Sequence, residues 1–111
     1  MSREADEAVW RALANPVRRQ ILELLRNGGR TTNSLVEEFP ELSRFAVMQH
    51  LDVLVEAGLV IVRREGRQRF NFLNPVPIER LYQRWIHPFA GRVAAEMLAL
   101  ERHLKKPKHK E

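Results

Sequence analysis

The stretch that decides the fold is Ser43-Arg44-Phe45-Ala46-Val47-Met48-Gln49-His50-Leu51-Asp52-Val53-Leu54. Read as a helix, it has one apolar stripe at the spacing of a face that packs into a core: Val47, Leu51, Leu54 and Gly58. The opposite face carries Phe45, Gln49, Asp52 and Glu56, with Met48 at its edge. A surface helix is expected to be polar on that side. The two apolar residues therefore indicate that something outside the domain covers this face.

The size and charge of the chain fit one small domain with a basic surface. Its 111 residues, 44% of them hydrophobic, are enough for a modest core. The formal charge of +5 suits a partner with dense negative charge, although solubility alone could explain it. The chain has no cysteine, which rules out a disulfide framework and a thiolate metal site within it.

Neither end of the chain predicts a targeting or membrane segment. The start, residues 1–7, lacks the basic and apolar regions of a signal peptide, and no apolar run approaches the roughly 20 residues that span a bilayer. We therefore expect a cytoplasmic protein without a membrane partner. The lysine-rich tail, residues 105–111, has no apolar anchor and is predicted to be disordered, so that one domain fills residues 1–104.

Capping residues divide the first half of the chain into four predicted helices. Their predicted starts are Ser2, Asn15 before Pro16, Thr31 or Thr32, and Ser43. The predicted ends of the second, third and fourth helices are Asn27-Gly28-Gly29, Pro40 and Ala57-Gly58.

The period of the pattern changes after Gly58. Two β-type runs, residues 59–64 and 68–73, flank Glu65-Gly66-Arg67 and predict a β-hairpin. A helical period returns from Ile78 to about Leu104, interrupted by Pro88. The predicted class is therefore mainly α with one β-hairpin, in the order α-α-α-α-β-β-α, which is the order of a winged helix-turn-helix.

Three segments in this order resemble the ArsR (arsenic-repressor-like) family of transcriptional regulators over residues 8–104. They are Leu13-Ala14-Asn15-Pro16-Val17-Arg18-Arg19-Gln20-Ile21-Leu22, Leu42-Ser43-Arg44 through Leu54, and Glu56-Ala57-Gly58-Leu59-Val60. The resemblance implies a homodimeric repressor of a double-stranded DNA operator. Its recognition helix, about residues 43–57, would enter the major groove. Its wing, about residues 60–73, would lie on the DNA backbone or minor groove, and its terminal helices would form the dimer.

The chain departs from the metal-sensing members of that family. Residues 31–35 lack their Cys-x-Cys pair. The last helix offers His87, Glu96, Glu101 and His103 without the paired ligand spacings of the family's second metal site. We therefore predict no metal and no cofactor, and the identity of any small-molecule effector stays open.

The outward face of the recognition helix supplies the predicted base readers. Gln49 can pair with adenine, and Phe45 and Met48 can rest on thymine methyl groups. For both apolar residues the alternative is packing against the turn at residues 39–42, which for Phe45 is equally favoured. Ser43 and Arg44 suit a phosphate, whereas His50 is expected to be half-buried or phosphate-facing.

Arginines supply the predicted backbone contacts. The hairpin concentrates Arg63, Arg64, Arg67 and Arg69, which suit phosphates or a narrow minor groove. Solvated charge on an edge hairpin is the alternative, but the preceding helix favours DNA. One of Arg18 and Arg19 is expected to reach the DNA backbone, and we assign Arg18.

A remaining apolar set lies in the terminal helices and is assigned to dimerisation. Its members are Val9, Trp10, Leu13, Trp85, Phe89, Val93, Met97 and Leu100. A small winged helix cannot easily bury two terminal helices, so a second copy is the economical partner. For Trp10 and Leu81 the alternative is the intrachain core.

Two other functions compete with DNA binding as interpretations of this sequence. A winged-helix module for protein–protein interaction predicts a neutral or acidic wing, which this chain does not have. An enzyme needs a nucleophile with its base, a glycine-rich phosphate loop or a cluster of histidines and carboxylates, and the sequence shows none of these patterns.

Overall fold

A computed structural model describes residues 3–105 of the chain. Its elements are α1 (Arg3–Leu13), α2 (Pro16–Leu24), β1 (Arg30–Thr31), α3 (Thr32–Glu37), α4 (Arg44–Glu56), β2 (Val60–Glu65), β3 (Gln68–Leu73), α5 (Val76–Leu81) and α6 (Arg92–Lys105). The predicted cap Ser2 lies outside the described residues, as do residues 106–111 of the predicted tail, whose first member, Lys105, is the last residue of α6. The chain forms two compact units, which divide between Ile78 and Glu79.

Side-chain caps begin three of the helices where the sequence predicted them. The carboxamide oxygen of Asn15 accepts hydrogen bonds from the amides of Val17 and Arg18, at 2.8 and 3.2 Å. The hydroxyls of Thr31 and Ser43 each accept from the amide three residues later, at 3.1 and 3.0 Å. Each cap satisfies an amide at the start of its helix that has no intrahelical acceptor, which stabilises that start by about 1 kcal/mol.

The core of the first unit forms around α4. Its predicted stripe, Val47, Leu51 and Leu54, is fully buried. Other fully buried side chains surround it in the core: Ile21, Leu35, Phe39 and Leu59. Because α4 contacts α1, α2, α3 and β2, its apolar face is used entirely inside the unit. The opposite face of α4 is not needed for this core and can contact a partner.

The sheet contains one strand more than the predicted hairpin. Its order is β1-β3-β2 and both pairings are antiparallel. We refer to the β2–β3 hairpin as the wing. Gly66 forms its turn with a φ of +62°, a left-handed conformation that favours glycine. Strand β1 is only two residues long, too short to produce a detectable alternation in the sequence.

The terminal helical segment of the chain is broken, as the position of Pro88 predicted. Helix α5 is followed by a π-helical turn at Tyr82–Ile86 and a 3₁₀ turn at His87–Phe89, and α6 begins at Arg92. Pro88 lies within the 3₁₀ turn, where its missing N–H and fixed φ do not permit a continuous α-helix. Within residues 3–105, no helix is both long and apolar enough to cross a membrane.

Candidate nucleic-acid interface

A basic groove of about 240 Å³ lies between the wing and the start of α3 and α4 in the first unit. It is lined by Thr31, Thr32, Asn33, Arg44, Met48, Arg64, Arg67, Gln68 and Arg69. Four of these nine described residues are arginines and none of the nine is acidic. Such a groove concentrates positive potential and attracts phosphate groups.

The register of the hairpin decides which wing arginines line this groove. Arg64 lies opposite Arg69, and both line the groove. Arg63 pairs with Phe70 instead and therefore lies on the other face of the sheet. There its guanidinium carbon is 5.8 Å from the centre of the Phe72 ring. The four predicted wing arginines are thus divided between two faces, with Arg63 apart from the others.

Two side-chain hydrogen bonds hold groove arginines in place. The Nη2 of Arg44 donates to the Oδ1 of Asn33 at 2.6 Å, which tethers the start of α4 to α3. The Nε of Arg69 donates to the Oδ1 of Asn71 at 3.2 Å. Both guanidinium groups are therefore partly oriented before any ligand arrives, which lowers the entropic cost of binding. Asn33, Asn71, Thr31, Thr32 and Gln68 were not among the predicted site residues.

The outward face of α4 presents the residues predicted to read bases. Gln49 is exposed, and the Phe45 side chain is 70% exposed. That exposure disfavours the alternative in which Phe45 packs against the turn at residues 39–42. Met48 is half-buried and lines the groove. The hydroxyl of Ser43, although exposed, is used as the helix cap.

Arg18 is bound to intrachain acceptors between α1 and α4. Its Nε and Nη2 donate to the carbonyl oxygens of Ala12 and Arg11, at 2.8 and 2.9 Å. Its Nη1 donates to the Nδ1 of His50 at 3.2 Å. This arrangement favours a positioning role for Arg18 over the phosphate contact that the sequence predicted. His50 is half-buried, as expected, and its Nδ1 accepts a hydrogen bond from Arg18, which places the proton of the neutral ring on Nε2.

Burial, and then the charge of Arg18, lowers the pKa of His50 below its ordinary value. The unfolded chain therefore binds this proton more readily than the folded chain does. We expect a stability contribution from His50 that is fully present above pH about 6.5 and is lost as the pH falls through the folded pKa. Urea unfolding at neutral and mildly acidic pH, compared between wild type and His50→Gln, measures this loss. Equal losses in the two proteins on acidification would exclude His50 as its source.

The side chains predicted to form the dimer interface differ in how far they are exposed to solvent. In α1, Val9 is only 4% exposed, so its side chain belongs to the buried set and we remove it from the predicted interface. Trp10 is 38% exposed and Leu13 is half-buried. Leu81, for which the core was the alternative, is buried.

The second unit carries a continuous apolar stripe on α6. Val93, Met97, Leu100 and Leu104 follow one another at intervals of four, three and four residues, and are between 57% and 73% exposed. This spacing is that of a helix that packs along its length against a partner. The predicted residues Trp85 and Phe89 are also exposed in this unit.

The part of the chain that the structure describes holds no group of three or more His, Asp or Glu side chains that could bind a metal ion.

Comparison with known protein families and curated proteins identifies related regulators. A helix-turn-helix domain model matches residues 13–63. The HTH-type transcriptional regulator Rv2034 of Mycobacterium tuberculosis is 42% identical over 79 residues, which cover 71% of this chain and 72% of the relative. The transcriptional repressor SdpR of Bacillus subtilis is 31% identical over 71 residues, covering 64% and 78%.

Solved structures share the architecture. A possible transcriptional regulator for arsenical resistance is 38% identical, with a TM-score of 0.65 over 80% of this chain and 91% of that one. The homodimeric winged helix-turn-helix DNA-binding domain Mb0332 of Mycobacterium bovis, a possible ArsR-family regulator, is 26% identical. Its TM-score is 0.63, over 97% of this chain and 89% of that one. These likenesses confirm the predicted winged helix-turn-helix fold.

Proposed function

Because this chain belongs to the ArsR family of winged helix-turn-helix transcriptional regulators, we propose that it is a homodimeric repressor. It binds a double-stranded DNA operator through α4 and the wing. The observation that carries the proposal is the basic groove, whose four arginines adjoin the exposed face of α4. Dimerisation is supported by the apolar stripe of α6 and by the homodimeric neighbour from M. bovis.

The two elements have separate tasks in this proposal. Helix α4 enters the major groove, where Gln49 and Phe45 face base edges. Arg44, Arg64, Arg67 and Arg69 contact the DNA backbone. Phosphate contacts fix the register of the protein on the duplex, whereas base contacts select the sequence. Met48 lies on α4 and also lines the groove, so it can contact a thymine methyl group beside the DNA backbone.

The proposal assigns binding rather than catalysis to this chain. The family consists of DNA-binding regulators, and we infer neither an enzymatic activity nor a bound cofactor. Because its target is DNA, we propose a cytoplasmic location. The protein–protein interaction module is not favoured, since it leaves the arginines of the groove without a role. The effector, if the repressor responds to one, is not specified by these residues.

Two single substitutions test the division of tasks. Arg67→Ala is expected to weaken binding to all duplexes alike, and to flatten the slope of log affinity against log salt by about one per half-site. Gln49→Ala is expected to cost about 1–3 kcal/mol per half-site on the preferred operator, to relax selectivity at one base pair, and to leave the salt slope unchanged. Binding to preferred and scrambled duplexes over a salt series measures both effects.

The same measurements can contradict the proposed orientation. A Gln49→Ala protein that keeps full sequence preference would mean that another face of α4 meets the bases. An Arg67→Ala protein with an unchanged salt slope would remove this arginine from the backbone contacts.

A further inference from the structure

Asn71 is a fully buried polar side chain at the centre of the first unit's sheet. It lies in β3, is 0% exposed, and makes three hydrogen bonds. Its Nδ2 donates to the carbonyl oxygen of Arg30 at 3.2 Å and to the hydroxyl of Thr32 at 3.1 Å. Its Oδ1 accepts from the Nε of Arg69 at 3.2 Å. One side chain therefore connects β1, α3 and an arginine of the basic groove.

A buried carboxamide is costly unless its donors and acceptor are satisfied, and an apolar residue could fill the same space without that requirement. Two of the three bonds of Asn71 tie the wing to β1 and to the start of α3. The third satisfies the buried Oδ1, and its donor, Arg69, lines the groove. This third bond therefore also constrains Arg69.

A bond to Nε constrains the whole guanidinium group, because that group is planar and its five N–H donors keep a fixed arrangement. With Nε directed at Asn71, the two terminal nitrogens of Arg69 remain for an acceptor in the groove. A phosphate oxygen is such an acceptor, and a pre-oriented guanidinium loses less side-chain entropy when it binds one.

We propose that Asn71 is a positioning residue for DNA binding: it orients Arg69 toward a backbone phosphate. This inference rests on the proposed function, since it requires that the groove binds DNA. Arg67 provides an internal comparison. It lines the same groove from the wing turn, and among the described residues it has no hydrogen bond to Asn71.

Double-mutant cycles on DNA affinity test the proposal. Asn71→Ala is combined with Arg69→Ala in one cycle and with Arg67→Ala in a matched control cycle. The probe is a mixed-sequence duplex at several salt concentrations, because phosphate contacts do not require the operator. We expect Asn71→Ala alone to lower affinity about tenfold, and to lower it no more than about twofold when Arg69 is already alanine.

In the control cycle the separate effects of Asn71→Ala and Arg67→Ala should multiply. A merely structural role of Asn71 would give the same coupling to both arginines, so equal coupling in the two cycles would overturn the proposal. Thermal melts of each variant identify proteins that do not fold.

If Asn71→Ala does not fold, a second pair of variants decides the matter. Arg69→Lys keeps the charge but removes the Nε donor, and should lower affinity about as much as Arg69→Ala, whereas Arg67→Lys should keep most of the affinity. Equal effects of the two lysine substitutions would contradict the positioning role. Wild-type protein that fails to bind any duplex would instead contradict the proposed function itself.

Discussion

Replacing Met97 by glutamate is expected to convert a dimer of twice the 13.0 kDa chain mass into a monomer. Met97 lies in the middle of the exposed stripe of α6, so each copy would bring a carboxylate into an apolar interface. Burying an unpaired carboxylate costs several kcal/mol, so we expect the dimer dissociation constant to rise at least about 100-fold. Sedimentation velocity over a concentration series measures this change.

Ala95→Glu is the matched control for this substitution. Ala95 is exposed on the same helix and lies on the side opposite the stripe, so it receives the same charge outside the proposed interface. The control should remain dimeric and keep its DNA affinity, whereas Met97→Glu should lose both. A wild-type protein that sediments as a monomer at micromolar concentration would contradict dimerisation through α6.

Removing the three wing arginines of the groove together is expected to abolish tight DNA binding. In the variant with Arg64, Arg67 and Arg69 replaced by glutamine, each half-site loses up to three phosphate contacts. The salt slope should therefore flatten by about three per half-site, and affinity near physiological salt should fall on the order of 1,000-fold. Fluorescence anisotropy with a labelled duplex, measured over a salt series, follows both quantities.

Two neighbouring arginines of β2 allow the effect of groove position on DNA binding to be distinguished from the effect of net charge. Arg63→Gln and Arg64→Gln remove the same charge from adjacent positions of β2, but only Arg64 lines the groove. Arg64→Gln should flatten the salt slope by about one per half-site, and Arg63→Gln should leave it nearly unchanged. If the two variants lose equal affinity and slope, the wing acts through its net charge and the groove geometry is irrelevant.

Local signals in the sequence were sufficient to predict the starts of α2, α3 and α4. The caps at Asn15, Thr31 and Ser43 each depend on a side chain and an amide only two or three residues away. The stripe of α4 was equally readable, because the helical period places Val47, Leu51 and Leu54 on one face whatever they contact. The order of helices and hairpin then followed.

Features that depend on register or on distant partners could not be predicted in the same way. A shift of one residue in the β2–β3 pairing would exchange the faces of Arg63 and Arg64, and the pattern of the hairpin does not distinguish these alternatives. The hydrogen bonds of Asn71 to Arg30 and Thr32 cross 41 and 39 positions of the chain. The bond from Arg18 to His50 crosses 32. Such contacts exist only once the sheet and helices are assembled.

The first and last helices of the chain give one example of each kind, a predictable feature and an unpredictable one. Pro88 marked the interruption before α6, because proline restricts its own backbone wherever it lies. The burial of Val9 could not be predicted: an apolar residue on a short helix has the same pattern whether it faces the core or a partner, and its burial depends on how the other helices pack.

We propose that a dimer of this chain recognises a specific DNA sequence through α4 and the wing. Selection of bound duplexes by the wild-type protein from a random-sequence library, followed by sequencing, tests it most directly. We predict enrichment of an inverted repeat whose two half-sites lie about one helical turn, or a multiple of it, apart. A selected pool with no sequence enriched over the starting library, or with a single site that lacks any inverted repeat, would contradict the claim.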